Sequence, residues 1–262
     1  MSAPTPLLDF FKKGEVPRDV RVLASQGGLE TRAHEQLAIL ALLVDDPDDE
    51  IRAAAEATLN RIPAESLRKF LGRSDVSIGL REFFADRGVF PDEIPAIDAD
   101  DPLVSAEGAA EENEAAEGEE EADRDTVAQR IAKMGFTQRL KAAVKGTREM
   151  RAMLVRDPNK MIAAAVLSSP KITEQEVESI AKMTSVSDDV LRIIGNNRAW
   201  TKNYSVVVGL VKNPKTPVAM SMNMMQRLND RDLSQLSLDR NVPEALRVAA
   251  RKRVSSGGRD RG

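Results

Sequence analysis

The chain has 262 residues, of which 42% are hydrophobic and only 3% are aromatic. That length accommodates two domains or one long repeat array, and aliphatic residues and alanine must pack its core. The chain has no cysteine and a single histidine, His34. This composition excludes disulfides, thiolate nucleophiles, zinc sites built from Cys or several His, and the usual nucleophilic triads. We therefore expect no enzyme activity, no cofactor and no metal ion.

The net charge of −4 hides a strong asymmetry along the chain. Residues 1–125 hold 13 Lys and Arg against 30 Asp and Glu, which gives −17. Residues 126–262 hold 25 against 12, which gives +13. This division says more about binding than the total does, because each half presents a different sign of charge to a partner.

The N-terminal residues, MSAPTPLLDFFKKGE, lack a basic stretch followed by an apolar one, so they do not resemble a signal peptide. The longest apolar run, from Leu37 to Val44, is far too short to span a bilayer. We expect a soluble, cytoplasmic protein.

Composition divides the chain into five predicted regions. After an N-terminal segment, 1–16, a helical pattern fills 17–90. Residues 91–125 are acidic, nearly free of large apolar groups, and contain several Pro and Gly, so we predict a disordered linker there. A helical pattern resumes over 126–254, and the basic tail 255–262 is predicted to be disordered.

A recurring polar break interrupts the helical pattern. Asp157, Ser169 and Asn213 each follow an apolar run and precede a proline, while Asn196 and Asp239 take the same place without proline. Asn, Asp and Ser accept hydrogen bonds from the free N–H groups at a helix start, and proline suits the first helical position. Each break therefore predicts the end of one helix and the capped start of the next.

The breaks recur with a regular period. Taken two at a time, their spacings are 39, 44 and 43 residues. A period of about 40–47 residues with roughly two helices per unit is typical of HEAT and armadillo repeats.

Two stretches carry a family resemblance. DDPDDEIRAAAEATL, from Asp45, resembles the second half of a HEAT repeat. The C-terminal half, from Thr147 onward, is similar to bacterial helical-repeat proteins of the leucine-rich-repeat-variant type. The resemblance implies an all-α fold, an α-solenoid of HEAT-like repeats in two modules, and a broad exposed surface in place of a reactive pocket. It implies no particular activity.

Basic residues crowd the start of the second half and form the main candidate site. Stripes of like charge arise because Lys141 and Lys145 are four residues apart and Arg148 and Arg151 three. The candidate partner-binding cations are Lys141, Lys145, Arg148, Arg151, Arg156 and Lys160. Four interpretations stay open: an acidic protein partner, an internal contact with the acidic linker, a nucleic-acid backbone, or an ordinary solvated face.

Two aromatic residues and a methionine group complete the candidates. Trp200 and Tyr204 are four residues apart, on one helical face, and could anchor a partner or pack between repeats. Met220, Met222, Met224 and Met225 suit an adaptable groove, although core packing is the more ordinary role. His34 is expected at the surface or in a helix cap.

Two functions follow from these features. The first is a non-catalytic protein–protein interaction scaffold or adaptor, with the acidic linker covering the basic C-terminal module. The alternative is a nucleic-acid-associated module that binds phosphates through its basic half, although the scarcity of aromatics argues against stacking on single strands.

Overall fold

The computed structural model describes residues 5–92 and 126–257. Within these ranges the secondary structure consists of sixteen α-helices and a 3-10 helix, without strands. The predicted all-α class is confirmed. Most of the predicted linker, residues 93–125, lies outside the described ranges, as do residues 258–262 of the predicted tail.

The described chain divides into two compact units. The first contains the described residues up to Leu154 together with Met161–Lys171, and the second contains Val155–Lys160 and the residues from Ile172 onward. The helices of the first are α1 Leu8–Lys12, α2 Arg18–Ser25, α3 Ala33–Leu43, α4 Asp49–Arg61, α5 Ala64–Leu71, α6 Ile78–Ala85, α7 Val127–Lys133, α8 Phe136–Lys145, α9 Arg148–Leu154 and most of α10 Lys160–Ser168. Thus α7–α9, which follow the acidic segment in sequence, belong with α1–α6.

The first unit is organised around α3. This helix contacts α1, α2, α4 and α6. Its sequence, AHEQLAILALL, is apolar around most of its circumference, as expected of a helix that is surrounded by others. Two side-chain contacts join α8 to the N-terminal helices: Thr137 donates to the carboxylate of Asp19, and Lys145 pairs with Glu30.

The second unit is built from sequential helix pairs. Its helices are α11 Glu174–Lys182, α12 Asp188–Asn196, a 3-10 helix Trp200–Lys202, α13 Tyr204–Lys212, α14 Val218–Met225, α15 Asp230–Leu238 and α16 Glu244–Gly257. Within the pairs, α11 contacts α12, α13 contacts α14 and α15 contacts α16. Between pairs, α11 contacts α13 and α14 contacts α16. The last helix extends three residues into the predicted tail.

Small residues set the spacing between neighbouring pairs. A Cβ added to Gly209 on α13 would lie 3.3 Å from Ala181 Cβ on α11. One added to Gly195 on α12 would lie 2.2 Å from the sulfur of Met220 on α14. The α13–α16 core is the buried cluster of Val207, Val211, Met225, Leu228, Leu233, Leu236, Val242, Leu246 and Ala250.

The polar breaks end helices and do not cap the next ones, which corrects the sequence-based interpretation. Each side-chain oxygen accepts a hydrogen bond from the backbone N–H two residues later, at Asp46, Asp157, Ser169, Asn197, Asn213 and Asp239. Asn213 is the C-cap of α13, whereas α14 begins four residues after Pro214, at Val218. Asn197 makes the turn after α12, one position beyond the predicted Asn196. Side chains that bond locally in this way stop helices as well as start them.

Candidate protein-binding surface

The predicted cations of the first unit differ in their surroundings. Lys145 and Glu30 form an ion pair in which the side chains are 20% and 18% exposed. Arg151 is buried and donates to the carbonyl oxygens of Gly146, at 2.8 Å, and Lys171, at 3.4 Å. Arg148 is exposed and Lys141 is half-buried. Lys145 and Arg151 therefore hold the unit together, and Arg148 is the member of this group most open to solvent.

The two predicted cations of the second unit are exposed. Lys160 lies 2.8 Å from the carboxylate of Asp189. The guanidinium of Arg156 contacts the sulfur of Met183 at 3.7 Å. Surface ion pairs of this kind contribute little to stability, so Lys160 can exchange its partner at small cost. The candidate cations are thus divided between the two units, four in the first and two in the second.

The aromatic pair is separated by the local structure. Trp200 is buried in the 3-10 helix, whereas Tyr204 begins α13 and is 40% exposed. The Tyr204 hydroxyl donates to Asp232 Oδ2 at 2.6 Å and accepts from the Asn229 N–H at 3.1 Å. The hydrogen bond from Tyr204 is the main cause that lowers the pKa of Asp232, and Lys212 assists it. Tyr204 fastens α13 to the start of α15.

The layer of α12, α14 and α16 carries two exposed valines that the sequence analysis did not single out, beside methionines that it did. Val218 on α14 is 40% exposed and Val248 on α16 is 53% exposed. Met222 and Met224 on α14 are half-buried against the core. Met220 lies against Gly195 of α12, so α14 is the helix that joins the layer. We call Val218, Met222 and Val248 the apolar patch.

Charged residues accompany the apolar patch. Arg192 on α12 is exposed and lies 3.5 Å from Asp188 on the same helix. Lys252 on α16 is exposed one turn beyond Val248, and Glu244 lies one turn before it. Single exposed valines are common on helix surfaces, so the sequence alone gives only a weak indication of a binding surface here. The packing of α14 against its neighbours is what indicates it.

A buried polar cluster lies at the start of α3. Its members are Thr31, Arg32, His34, Glu35 and Gln36. The placement of His34 at the surface or in a cap is wrong, because its side chain is 8% exposed and its ring lies 6.4 Å from that of Phe70. Burial lowers the pKa of His34 and raises that of Glu35 to about 7. Polar residues before an apolar run indicate a solvated helix start, and tertiary packing overrides that indication here.

Neither the metal-binding side chains, nor the hydropathy of the helices, nor comparisons with known proteins assign a function to the chain. Among residues 5–92 and 126–257, no group of three or more His, Cys, Asp or Glu side chains is placed to hold a metal ion. In the same ranges, no helix combines the length and apolar character needed to cross a membrane. Comparisons of the chain with protein-family models, curated proteins and solved structures found no match.

Proposed function

We propose that the protein is a non-catalytic scaffold that binds a protein partner on the α12, α14 and α16 layer of the second unit. The observation that carries this proposal is the apolar patch, in which two valines on packed helices are 40% and 53% exposed. Exposed apolar side chains on neighbouring elements are typical of interaction surfaces, and methionines adapt to partner shape.

The proposed fold of the second unit is a short stack of HEAT-like helix pairs. Its support is the pattern of contacts, in which α11 meets α13 and α14 meets α16 while each pair is also packed internally. In such a stack each pair buries its apolar face only against its neighbours, and the remaining helix faces stay available for binding.

The proposed partner is acidic. The second unit, residues 155–160 and 172–262, holds 17 Lys and Arg against 11 Asp and Glu, which gives +6, and Lys252 lies one turn beyond Val248. Complementary charge speeds association and rejects partners of the wrong sign, while the apolar contacts supply affinity.

An affinity capture with the full chain tests this function. The Val218→Glu, Val248→Glu double variant places two carboxylates on the patch and should lose a partner that the unchanged chain captures. The matched control is Leu238→Glu, because Leu238 is 74% exposed but belongs to α15, outside the layer. A captured protein that is lost only from the double variant supports the proposal; equal capture by all three chains contradicts it.

The same capture experiment tests the role of the acidic residues 91–125. The sequence-based prediction that they cover the basic half implies that they compete with an acidic partner. A chain that lacks them should then capture more partner at the same bait concentration. Unchanged capture would remove this part of the proposal.

Nucleic-acid binding is the second candidate, and the exposure of Arg148, Arg156 and Lys160 favours it. Binding to a phosphate backbone should weaken steeply with salt, because bound counterions are released. A titration of the full chain with duplex DNA and RNA at low and moderate salt decides the matter. The triple variant Arg148→Gln, Arg156→Gln, Lys160→Gln should reduce both affinity and salt dependence. Absence of binding at low salt would rule this candidate out.

A further inference from the structure

A buried carboxyl group fastens the N-terminal residues to the first unit. The side chain of Glu35 is 0% exposed. Its Oε1 accepts hydrogen bonds from the backbone N–H groups of Leu7, at 2.6 Å, and Leu8, at 3.3 Å. These residues are the N-cap and first residue of α1, whose first N–H groups have no acceptor within the helix. Glu35 thus supplies from α3 the acceptor that α1 lacks.

Apolar side chains also hold α1, among them the buried Pro6 and the half-buried Phe10 and Phe11. Leu7 and Leu8 are buried, and α1 contacts α3. The helix has only five residues, too few to form in isolation. We call residues 5–13 the strap; its order depends on these apolar contacts and on the Glu35 contact.

The second carboxyl oxygen of Glu35 is poorly compensated. Among the described residues, its Oε2 is buried without a hydrogen-bond partner, as is the hydroxyl oxygen of Ser168. The Ser168 hydroxyl still favours the charged form, as do the two N–H groups and the charge of Arg32. The Ser168 contact is weak, because the hydroxyl group and Glu35 Oε2 do not form a hydrogen bond. Burial is the largest influence, and it raises the pKa of Glu35 to about 7.

The other charged groups on the surrounding helices are engaged elsewhere or exposed. On α1, Asp9 and Lys12 are exposed. On α2, Arg21 pairs with Asp46, and on α4, Arg52 donates to the Asp46 carbonyl and to Asp49. On α6, Arg81 donates to the carbonyl oxygens of Leu71 and Arg73. On α3 itself, His34 is the other buried titratable group, and Asp75 and Arg73 act on its charge.

We propose that the strap is a pH-sensitive latch, closed while Glu35 carries its proton and released when the carboxyl group ionises. A neutral carboxyl group in the closed state accepts the two N–H bonds with Oε1 at no charge penalty. An ionised one leaves a charge buried with an unbonded oxygen, which is costly. Lifting the strap admits water to the carboxylate and relieves that cost. Release also exposes Leu7 and Leu8.

The direction of the pH effect follows from the two pKa values. In the open state Glu35 is solvated and titrates near its ordinary 4.5, whereas in the closed state it titrates at about 7. Opening therefore releases a proton between these values, so the open fraction increases as the pH rises and levels off above pH 7. Between pH 5 and pH 8 the opening constant should grow roughly 50- to 100-fold.

Amide hydrogen exchange of the full chain measures this opening directly. After correction for the intrinsic pH dependence of exchange, protection of the strap amides should fall roughly 50- to 100-fold from pH 5 to pH 8. Amides of α15, in the second unit, serve as the internal reference and should change much less, because Glu35 belongs to the first unit.

Three variants separate the latch from other causes. Glu35→Gln keeps an oxygen acceptor for Leu7 and Leu8 but cannot ionise, so strap protection should not depend on pH. His34→Gln removes the neighbouring titratable group and should leave the response intact. Leu8→Ala loosens the strap at every pH but retains the response, which provides a test if Glu35→Gln does not fold. Constant protection in the unchanged chain, or an equal pH response in Glu35→Gln, would overturn the latch.

Discussion

The two units differ in the chemistry of particular buried polar side chains. In the first unit, Glu35 and His34 are buried at the start of the central helix α3. In the second, Asn197 and Asn213 are buried at the joints where helices end. An amide at a joint is neutral at every pH and bonds to backbone groups that need partners. The carboxyl group of Glu35 is equally buried but titrates with a raised pKa, so it gives the first unit a pH-dependent element.

The largest effect is expected at the most heavily bonded joint. Asn213 Nδ2 donates to the carbonyl oxygens of Ala181 and Met183, both at 2.9 Å, and Oδ1 accepts from the Lys215 N–H. Asn213→Ala leaves these backbone groups without partners, and we expect it to lower the free energy of unfolding by about 4 kcal/mol. Denaturant titration measures the loss.

Asp239 is the matched control for this joint. It forms the same turn after α15, but is half-buried and bonds only to the Asn241 N–H. Asp239→Ala should cost about 1 kcal/mol or less. Equal losses of stability at the two positions would show that the hydrogen bonds from Asn213 to the end of α11 contribute nothing.

The pH dependence of stability is the next largest effect, and it belongs to the first unit. Because the folded-state pKa of Glu35, about 7, exceeds its ordinary 4.5, the folded chain binds more protons between these values. Stability contributed by this group therefore decreases as the pH rises from 4.5 to 7, by about 3 kcal/mol. Unfolding measured across this window should show the decrease.

Glu35→Gln isolates the contribution of the carboxyl group. The variant should show a flatter profile between pH 4.5 and 7. Asp48 and Asp75 have pKa values lowered by arginine partners, so their contributions are lost only as the pH falls below the usual carboxyl range. An unchanged profile in the variant would contradict the assignment to Glu35.

A closely packed helix end in the first unit should give a smaller loss of stability than Asn213→Ala. Gly146 is the C-cap of α8, and a Cβ there would lie 2.3 Å from the Ala142 carbonyl oxygen. Because that atom belongs to the backbone, Gly146→Ala should cost about 2 kcal/mol. Gly79→Ala is the control, since a Cβ there meets nothing within 4 Å and α6 should gain helix propensity. A neutral Gly146→Ala would show that this joint relaxes freely.

The smallest effect concerns the half-exposed link from α13 to α15. Tyr204→Phe removes the hydrogen bonds to Asp232 and from Asn229. Because the hydroxyl group lies near solvent, we expect a loss below about 1 kcal/mol in denaturant titration. A loss as large as that of Asn213→Ala would mean that exposed links matter as much as buried joints.

Local sequence patterns predicted the helices and the positions of the breaks between them. The pattern at Asp157, Ser169 and Asn213 located the helix ends correctly, but the prediction that these residues also cap the next helix was wrong. Both roles use the same oxygen and the same type of N–H donor, so the residue type alone does not distinguish them.

By itself, the sequence determined the all-helical class, the joints and the charge asymmetry, because each depends on residues that are close along the chain. Tertiary structure alone decided that Lys145 pairs with Glu30, that Asn213 bonds to the end of α11, and that Glu35 receives the N–H groups of Leu7 and Leu8. These contacts join residues about 30 to 115 positions apart. Burial and ionisation depend on what such distant residues bring together, and no local pattern encodes that.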